Sequence, residues 1–379
     1  MLIAYIFDLT SSKTKVPSVI LLLLLGWGVN QLTTFWDIPL PDFSQILPVL
    51  GTVGLILIVL EGSLELELNK SKLPLIRKSF FGALVPMLGL AFLIAFMFHN
   101  IGHYSIKDSL INAIPFCVIS SAIAIPSVRN LTAKNKEFVI YESSLSDIIG
   151  VLLFNFFALN ETIDIASFGN FGLQIIGITV VSFIATIGLS FLLNKIEHHV
   201  KFVPIILLVV LIYAISKIYH LPGLIFILLF GLIISNLDEL KSFKWIEKFK
   251  PDELQKEVDK FKELTAEGAF LVRALFFLLF GYLIKTTELL NTDTLLWAIA
   301  IVIFTFSFRA IQLKLSNLPL RPLLFVAPRG LITILLFLSI EPTHSIPFVN
   351  NSLIIQVIIL TALIMMVGLM TREKQQQLQ

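Results

Sequence analysis

Cysteine, charge and catalytic signatures are all scarce in this chain of 379 residues. Its one cysteine, Cys117, cannot form an internal disulfide and reads as a small core residue. Only 14% of the residues are charged, against about 25% in soluble domains. With a mean hydropathy of +0.91, that scarcity excludes a soluble enzyme. A membrane enzyme has no support either, because no His-Glu-x-x-His, Gly-x-Ser-x-Gly or phosphate-cradling glycine-rich run occurs. The net charge of +2 gives no sign of a nucleic-acid partner.

What is abundant is uninterrupted apolar sequence. Runs such as Val16 to Val29, Val203 to Ile215 and Ala298 to Phe308 carry no charge, and they recur along the whole chain. A transmembrane β-barrel needs alternation of apolar and polar residues, so continuous runs exclude it and predict an all-α polytopic protein in a lipid bilayer. At about 20 residues per crossing, twelve helices are expected: 16–34, 46–66, 78–98, 109–128, 136–158, 170–193, 201–217, 222–235, 265–285, 293–314, 320–340 and 352–371. Residues 1–12 are too short to span. Lacking a basic leader and a small-residue cleavage site, they read as a surface or partly inserted segment.

Lysine and arginine divide unevenly between alternate loops. The side that holds the N-terminus carries 22 of them and the other side only Lys107, Lys217 and Lys285, which predicts that both termini are cytoplasmic. The three left over, Arg273, Arg309 and Arg329, fall inside predicted helices. The one hydrophilic stretch, 238–267, reads as a cytoplasmic amphipathic connector, with Trp245, Phe249, Val258 and Phe261 among its charges. Residues 13–371 form a single transmembrane domain, followed by a tail at 372–379. All six histidines fall at predicted loops and read as solvated.

An ionisable side chain inside a span costs about 2.5–3.5 kcal/mol on insertion scales, so Glu142, Asp147 and the three arginines need a reason to be there. Asp147 lies mid-helix in YESSLSDIIGVLLFNF, with Ser143 and Ser144 at i−4 and i−3 and Gly150 at i+3 on one face. A carboxylate among hydroxyls suits a small hard cation, for which protons compete; the simpler reading is a carboxylate that caps a helix or pairs with an arginine. The fourth helix, SLINAIPFCVISSAIAIPSVRNL, has Pro115 and Pro126 flanking Ser120 and Ser121. The eleventh contains Pro319, Pro322 and Pro328, followed by Arg329 and Gly330. Proline frees backbone carbonyls, so both helices are expected to break mid-membrane, and a matched pair seven helices apart fits an inverted repeat around a transport site.

These motifs resemble those of the cation/proton antiporter superfamily, the monovalent Na+/H+ and K+/H+ exchangers. ESSLSD, from Glu142 to Asp147, is similar to the Glu-Ser-Leu-Leu-Asn-Asp of the electroneutral branch. SSAIAI at Ser120 resembles the broken fourth helix, and the RG of APRGLI, Arg329 and Gly330, the Leu-Arg-Gly of the other crossing helix. LEGSLELEL around Glu65 and RALFFLLFGYLI from Arg273 are weaker echoes, and together they cover about residues 16–371. Two departures stand out: Ser146 replaces an Asn or Asp, and no acidic residue lies near Ser120 and Ser121.

The resemblance implies an antiporter-like fold with two crossed, broken helices, a core at about 78–158 and 293–371, and dimerisation or scaffold helices at about 16–66 and 201–285. It implies a homodimer in the bacterial inner membrane, without a cofactor, that exchanges protons for Na+ or K+, or Li+, by alternating access. Asp147 would be the sole titrating carboxylate, with Ser146, Ser143, Ser120 and Ser121 around the cation, and exchange would be electroneutral. Glu142 would pair with Arg329, for which Arg273 and Arg309 are competitors. The rival readings are an organic-anion/sodium symporter of related fold and a non-transporting sensor or scaffold.

Overall fold

Without water in the bilayer core, each segment has to satisfy its own backbone polar groups, so continuous apolar sequence folds as helix. The computed structural model describes residues 2–14, 16–38, 43, 45–66, 69–160, 163–195, 201–236 and 251–376, and among these every α or β element is an α-helix. In chain order they are α1 (Leu2–Thr14), α2 (Ser18–Phe35), α3 (Ile46–Glu65), α4 (Leu73–Gly102), α5 (Ile106–Ala113), α6 (Ser121–Ser127), α7 (Ala133–Leu159) and α8 (Ile165–Lys195). They continue as α9 (Phe202–Ile218), α10 (Gly223–Ser235), α11 (Pro251–Leu283), α12 (Thr286–Leu289), α13 (Thr292–Leu315), α14 (Leu320–Leu323), α15 (Leu331–Leu338) and α16 (Asn351–Gln376). Nine stretches among the described residues are long and apolar enough to cross a membrane, and α9 and α10 are shorter apolar helices. With the discontinuous segment from α14 to α15, these are the twelve spans expected.

Residues 2–14 form a short helix of 13 residues that packs against α2. The sequence separates the connector at 238–267 from the ninth span, yet α11 runs unbroken for 33 residues and takes in 251–267. Val258 and Phe261 are buried on one face, Thr265 and Ala269 extend that face, and no proline follows Pro251, so nothing stops the helix before the apolar stretch. Residues 238–250, with Trp245 and Phe249, lie outside the described residues.

The chain divides into two compact units. One comprises residues 53–75 and 160–272. In it α8 packs along α9 and α10, Phe230 meets both Phe226 and Phe261, and Asn236 donates to the carbonyl of Leu66. The other comprises residues 1–52, 76–159 and 273–379 and carries both broken spans. There Gly26 and Gly281 let α2 and α11 touch backbone to backbone: a Cβ on Gly26 would strike the carbonyl of Leu278, and one on Gly281 that of Leu23. Lipid tails are as apolar as leucine, so such close van der Waals approach, rather than water exclusion, holds neighbouring spans together.

The two breaks have the same construction. After α5, a 3₁₀ turn at Ile114–Phe116 contains Pro115, and the chain then leaves the helix, reaching an extended conformation at Ser120 before α6 begins. Pro126 lies near the end of α6, away from the break. After α14 the chain turns and is non-helical from 326 to 330, with Pro328 inside that stretch, before α15 begins. The two non-helical stretches meet, and the amide of Ser120 donates to the carbonyl of Pro328 at 2.9 Å. A Cβ on Gly330 would lie 2.8 Å from Ser120 Oγ and 3.1 Å from its Cβ, so a glycine here lets the two stretches approach without displacing Ser120.

Candidate functional site

Extended backbone inside a bilayer leaves amides and carbonyls to be satisfied, at a cost of several kcal/mol for each failure. The polar side chains of α7, α13 and the second break meet that need. Ser146 Oγ, on α7, accepts from the amide of Ile119 at 2.9 Å. Arg329 lies in the non-helical stretch before α15 and donates through Nε to the carbonyl of Phe116 at 2.6 Å. Its Nη1 donates to the carbonyl of Ala327 at 3.1 Å and its Nη2 to Thr305 Oγ1 at 3.3 Å. Its amide donates to Thr361 Oγ1 on α16. A glycine at 150 brings α7 against the first break, since a Cβ there would collide with Val118.

Asp147 is buried at this crossing, 1% exposed, in the middle of α7. Its Oδ2 accepts from the amide of Ser121, the first residue of α6, at 3.3 Å, and from the Ser121 hydroxyl at short range. Its Oδ1 is buried without a hydrogen-bond partner, and so are the hydroxyls of Ser120 and Ser144. Ser143 donates its proton to the carbonyl of Val139 at 2.7 Å, which leaves its lone pairs unspent. The crossing therefore offers one carboxylate oxygen and serine oxygens without donors of their own, in surroundings that exclude water. Those are the ligands a hard monovalent cation or a proton seeks.

The resemblance paired Glu142 with Arg329, and the geometry corrects that pairing. Glu142, 0% exposed, receives Arg309 of α13: Nη1 reaches Oε1 at 2.9 Å and Nη2 reaches Oε2 at 2.8 Å. The Nε of Arg309 donates to the carbonyl of Leu323, which α14 leaves free where it ends. Arg329 donates instead to the carbonyls of Phe116 and Ala327 and to Thr305 Oγ1. Arg273, buried on α11, is not a partner of Glu142 either. Ser144, which the spacing places on the face of Asp147, has an orphaned hydroxyl, and Gln312, which no sequence motif singles out, has its amide buried without a partner near Gly82 and Glu142. Gln312 lies one turn beyond Arg309 on α13, and that spacing was the available signal.

Glu142 and Asp147 are the only buried acidic residues among those described. They are five residues apart on α7 and therefore point to different sides of it, Glu142 to an arginine and Asp147 to the crossing. The described residues contain no cluster of three or more His, Cys, Asp or Glu side chains suited to a bound metal.

No curated protein matches the chain by sequence. Among solved structures, it is similar to the sodium proton antiporter MjNhaP1 from Methanocaldococcus jannaschii at pH 8, with a TM-score of 0.74 and 17% identity over 97% of this chain and 96% of that one. An electron-microscopy map of the same antiporter matches with a TM-score of 0.71 and 16% identity over 98% and 92%. At such identities the likeness shows the fold. The family described as "Sodium/hydrogen exchanger, transmembrane" matches residues 1–373, nearly the whole chain and both crossing breaks, and the chain belongs to that family.

Proposed function

We propose that this protein is a secondary active antiporter that exchanges Na+ for protons at Asp147 by alternating access, one for one and without net charge movement. The observation that carries this reading is the state of the Asp147 carboxylate: one oxygen is held by Ser121 while the other is buried without a donor. Such an oxygen needs either a proton or a cation, and it cannot take both. Competition for one carboxylate is then the coupling.

In this reading the cation also draws on Ser120, whose oxygen is unspent, and on the remaining lone pairs of Ser121, Ser143 and Ser146, with water completing its shell. The Glu142–Arg309 pair stays charged and neutral overall, so it takes no part in proton counting. Arg329 ties the two breaks and keeps the crossing in shape. The core helices at about 78–158 and 293–371 move as a body against a dimerisation scaffold at about 16–66 and 201–285. The protein works as a homodimer in a bacterial inner membrane with both termini cytoplasmic.

The test is a pH-jump flux assay in proteoliposomes with Na+, K+ and Li+ compared. Proton flux driven by Na+, and by its smaller or larger congeners to the degree that the oxygen shell fits them, is the expected result. Its absence with all three cations would overturn the antiporter reading.

A further inference from the structure

A second group of titratable side chains lies outside the crossing. His344, in the short turn Pro342–His344 that follows α15, has Nδ1 2.6 Å from Asp108 Oδ1 on α5. Asp108 is held in place in turn: its Oδ2 accepts from the hydroxyl of Ser105 at 2.6 Å, and its backbone amide donates to Ser105 Oγ at 3.0 Å. One turn along α5, fully buried Asn112 donates to the carbonyl of His344 at 2.7 Å and accepts from the amide of Ile346 at 3.3 Å. Three links thus sew the half of the fourth span that precedes its break to the segment that follows the eleventh.

Two of the three links are neutral and do not respond to pH. The third joins a histidine to a carboxylate, and histidine changes charge between about pH 5 and 8. Both side chains are about a quarter exposed, 24% for His344 and 26% for Asp108, so solvent protons reach them while the pair is still partly sheltered. The other charged or titratable groups on neighbouring elements are Lys107 on α5, His99 and His103 at the end of α4, Tyr104, Glu341 in the same turn and Asp293 at the start of α13. Asp108 alone among them is within ion-pair distance of His344. His99 is engaged elsewhere, with Nδ1 2.6 Å from the carbonyl of Tyr104. Phe348, four residues past His344, stacks on Trp297 of α13 and meets Phe98 of α4, which anchors the far end of the segment.

We propose that His344 and Asp108 form a second proton-binding site, separate from Asp147, whose occupancy fastens the two broken spans together at the end of the core opposite the chain termini. Protonating the imidazole converts a hydrogen bond between a neutral ring and the Asp108 carboxylate into a hydrogen-bonded ion pair and tightens the seam. Because both strands of the seam lead straight into the crossing, through α5 on one side and α15 on the other, the site makes exchange sensitive to pH on that face beyond the competition at Asp147. The orientation and the link to transport rest on the antiporter reading; the proton site itself does not.

Hydrogen exchange of residues 342–350 in purified wild-type protein at pH 6 and pH 8.5, corrected for the chemical rate, tests the seam directly. Protection should fall about five-fold on raising the pH, as for an ion pair of this exposure. In His344→Gln and in Asp108→Asn protection should be low and independent of pH, and in Asp147→Asn the wild-type response should persist. A second arm steps only the external pH of right-side-out proteoliposomes: wild type should show a component of the Na+-driven rate that both seam variants lack. PH-independent protection in the wild type, or an unchanged response in His344→Gln, would overturn the proposal. Normal pH-dependent protection in a protein that transports nothing would support the proton site and overturn the antiporter reading instead.

Discussion

Arg309 grips Glu142 with both terminal nitrogens, at 2.9 and 2.8 Å, while its Nε holds the carbonyl of Leu323. One side chain on α13 therefore joins α7, which carries Asp147, to the end of the first half of the eleventh span. The bidentate fork is specific to arginine, since a lysine ammonium could not meet both carboxylate oxygens and the carbonyl at once.

Removing either partner leaves the other charge buried and uncompensated, at about 3–5 kcal/mol. Glu142→Gln and Arg309→Gln should each lower the melting temperature in detergent markedly, and the double variant should lose less than the sum. Glu142→Gln combined with Arg329→Gln should be closer to additive, since Arg329 bonds to Phe116, Ala327 and Thr305 instead. The reverse pattern in the two cycles would refute the assignment.

Asp147→Asn should abolish exchange and leave insertion and assembly intact, because it keeps size and polarity and removes the oxygen that titrates. Ser120→Ala should raise the Na+ concentration needed for half-maximal exchange several-fold without abolishing it, as one ligand among several is lost. Cation-dependent proton flux retained in Asp147→Asn would place the coupling elsewhere.

Gly330→Ala puts a methyl group 2.8 Å from Ser120 Oγ and 2.7 Å from Ile123 Cδ1. The isoleucine methyl and the serine hydroxyl can turn aside, but the Ser120 Cβ, 3.1 Å away, moves only with a backbone that is bonded to Pro328. Crowding of this kind costs about 1–3 kcal/mol, and here it also spreads the crossing. Both the melting temperature and the apparent Na+ affinity should fall. A variant with wild-type affinity would show that the crossing is not where the cation sits.

One carboxylate that alternates between a proton and a monovalent cation has the same charge in both loaded states. A membrane potential, worth about 2.3 kcal/mol per charge per 100 mV, then has nothing to act on. In proteoliposomes clamped with valinomycin and read with a Na+-selective probe, the exchange equilibrium should not move with voltage. A shift would mean that a second group titrates, and Glu142, the other buried acid, would have to leave Arg309 in part of the cycle.

The sequence by itself determined the fold class, because length and continuity of apolar runs leave a bilayer protein only one way to satisfy its backbone. It also located the breaks in the fourth and eleventh spans, since Pro115 and Pro328 remove donors wherever they sit, although Pro126 turned out to lie within α6 and to mark no break. Asp147 was legible as the unusual residue of its helix for the same reason: a lone carboxylate in apolar sequence is costly however the helices pack. Its partner Ser121, 26 residues away, was legible only as a serine in the right region. The tertiary structure alone decided which arginine meets Glu142. Three arginines lay inside spans, each with a long side chain of similar reach, and a linear pattern holds no information on which helix faces which. Packing settled it by giving Arg329 the carbonyls of the breaks, so that Arg309 was the arginine left facing the acid. The seam between Asp108 and His344, 236 residues apart, was hidden for the same reason. In sequence each is an ordinary polar residue near a loop, and only the crossing of two broken helices brings them together.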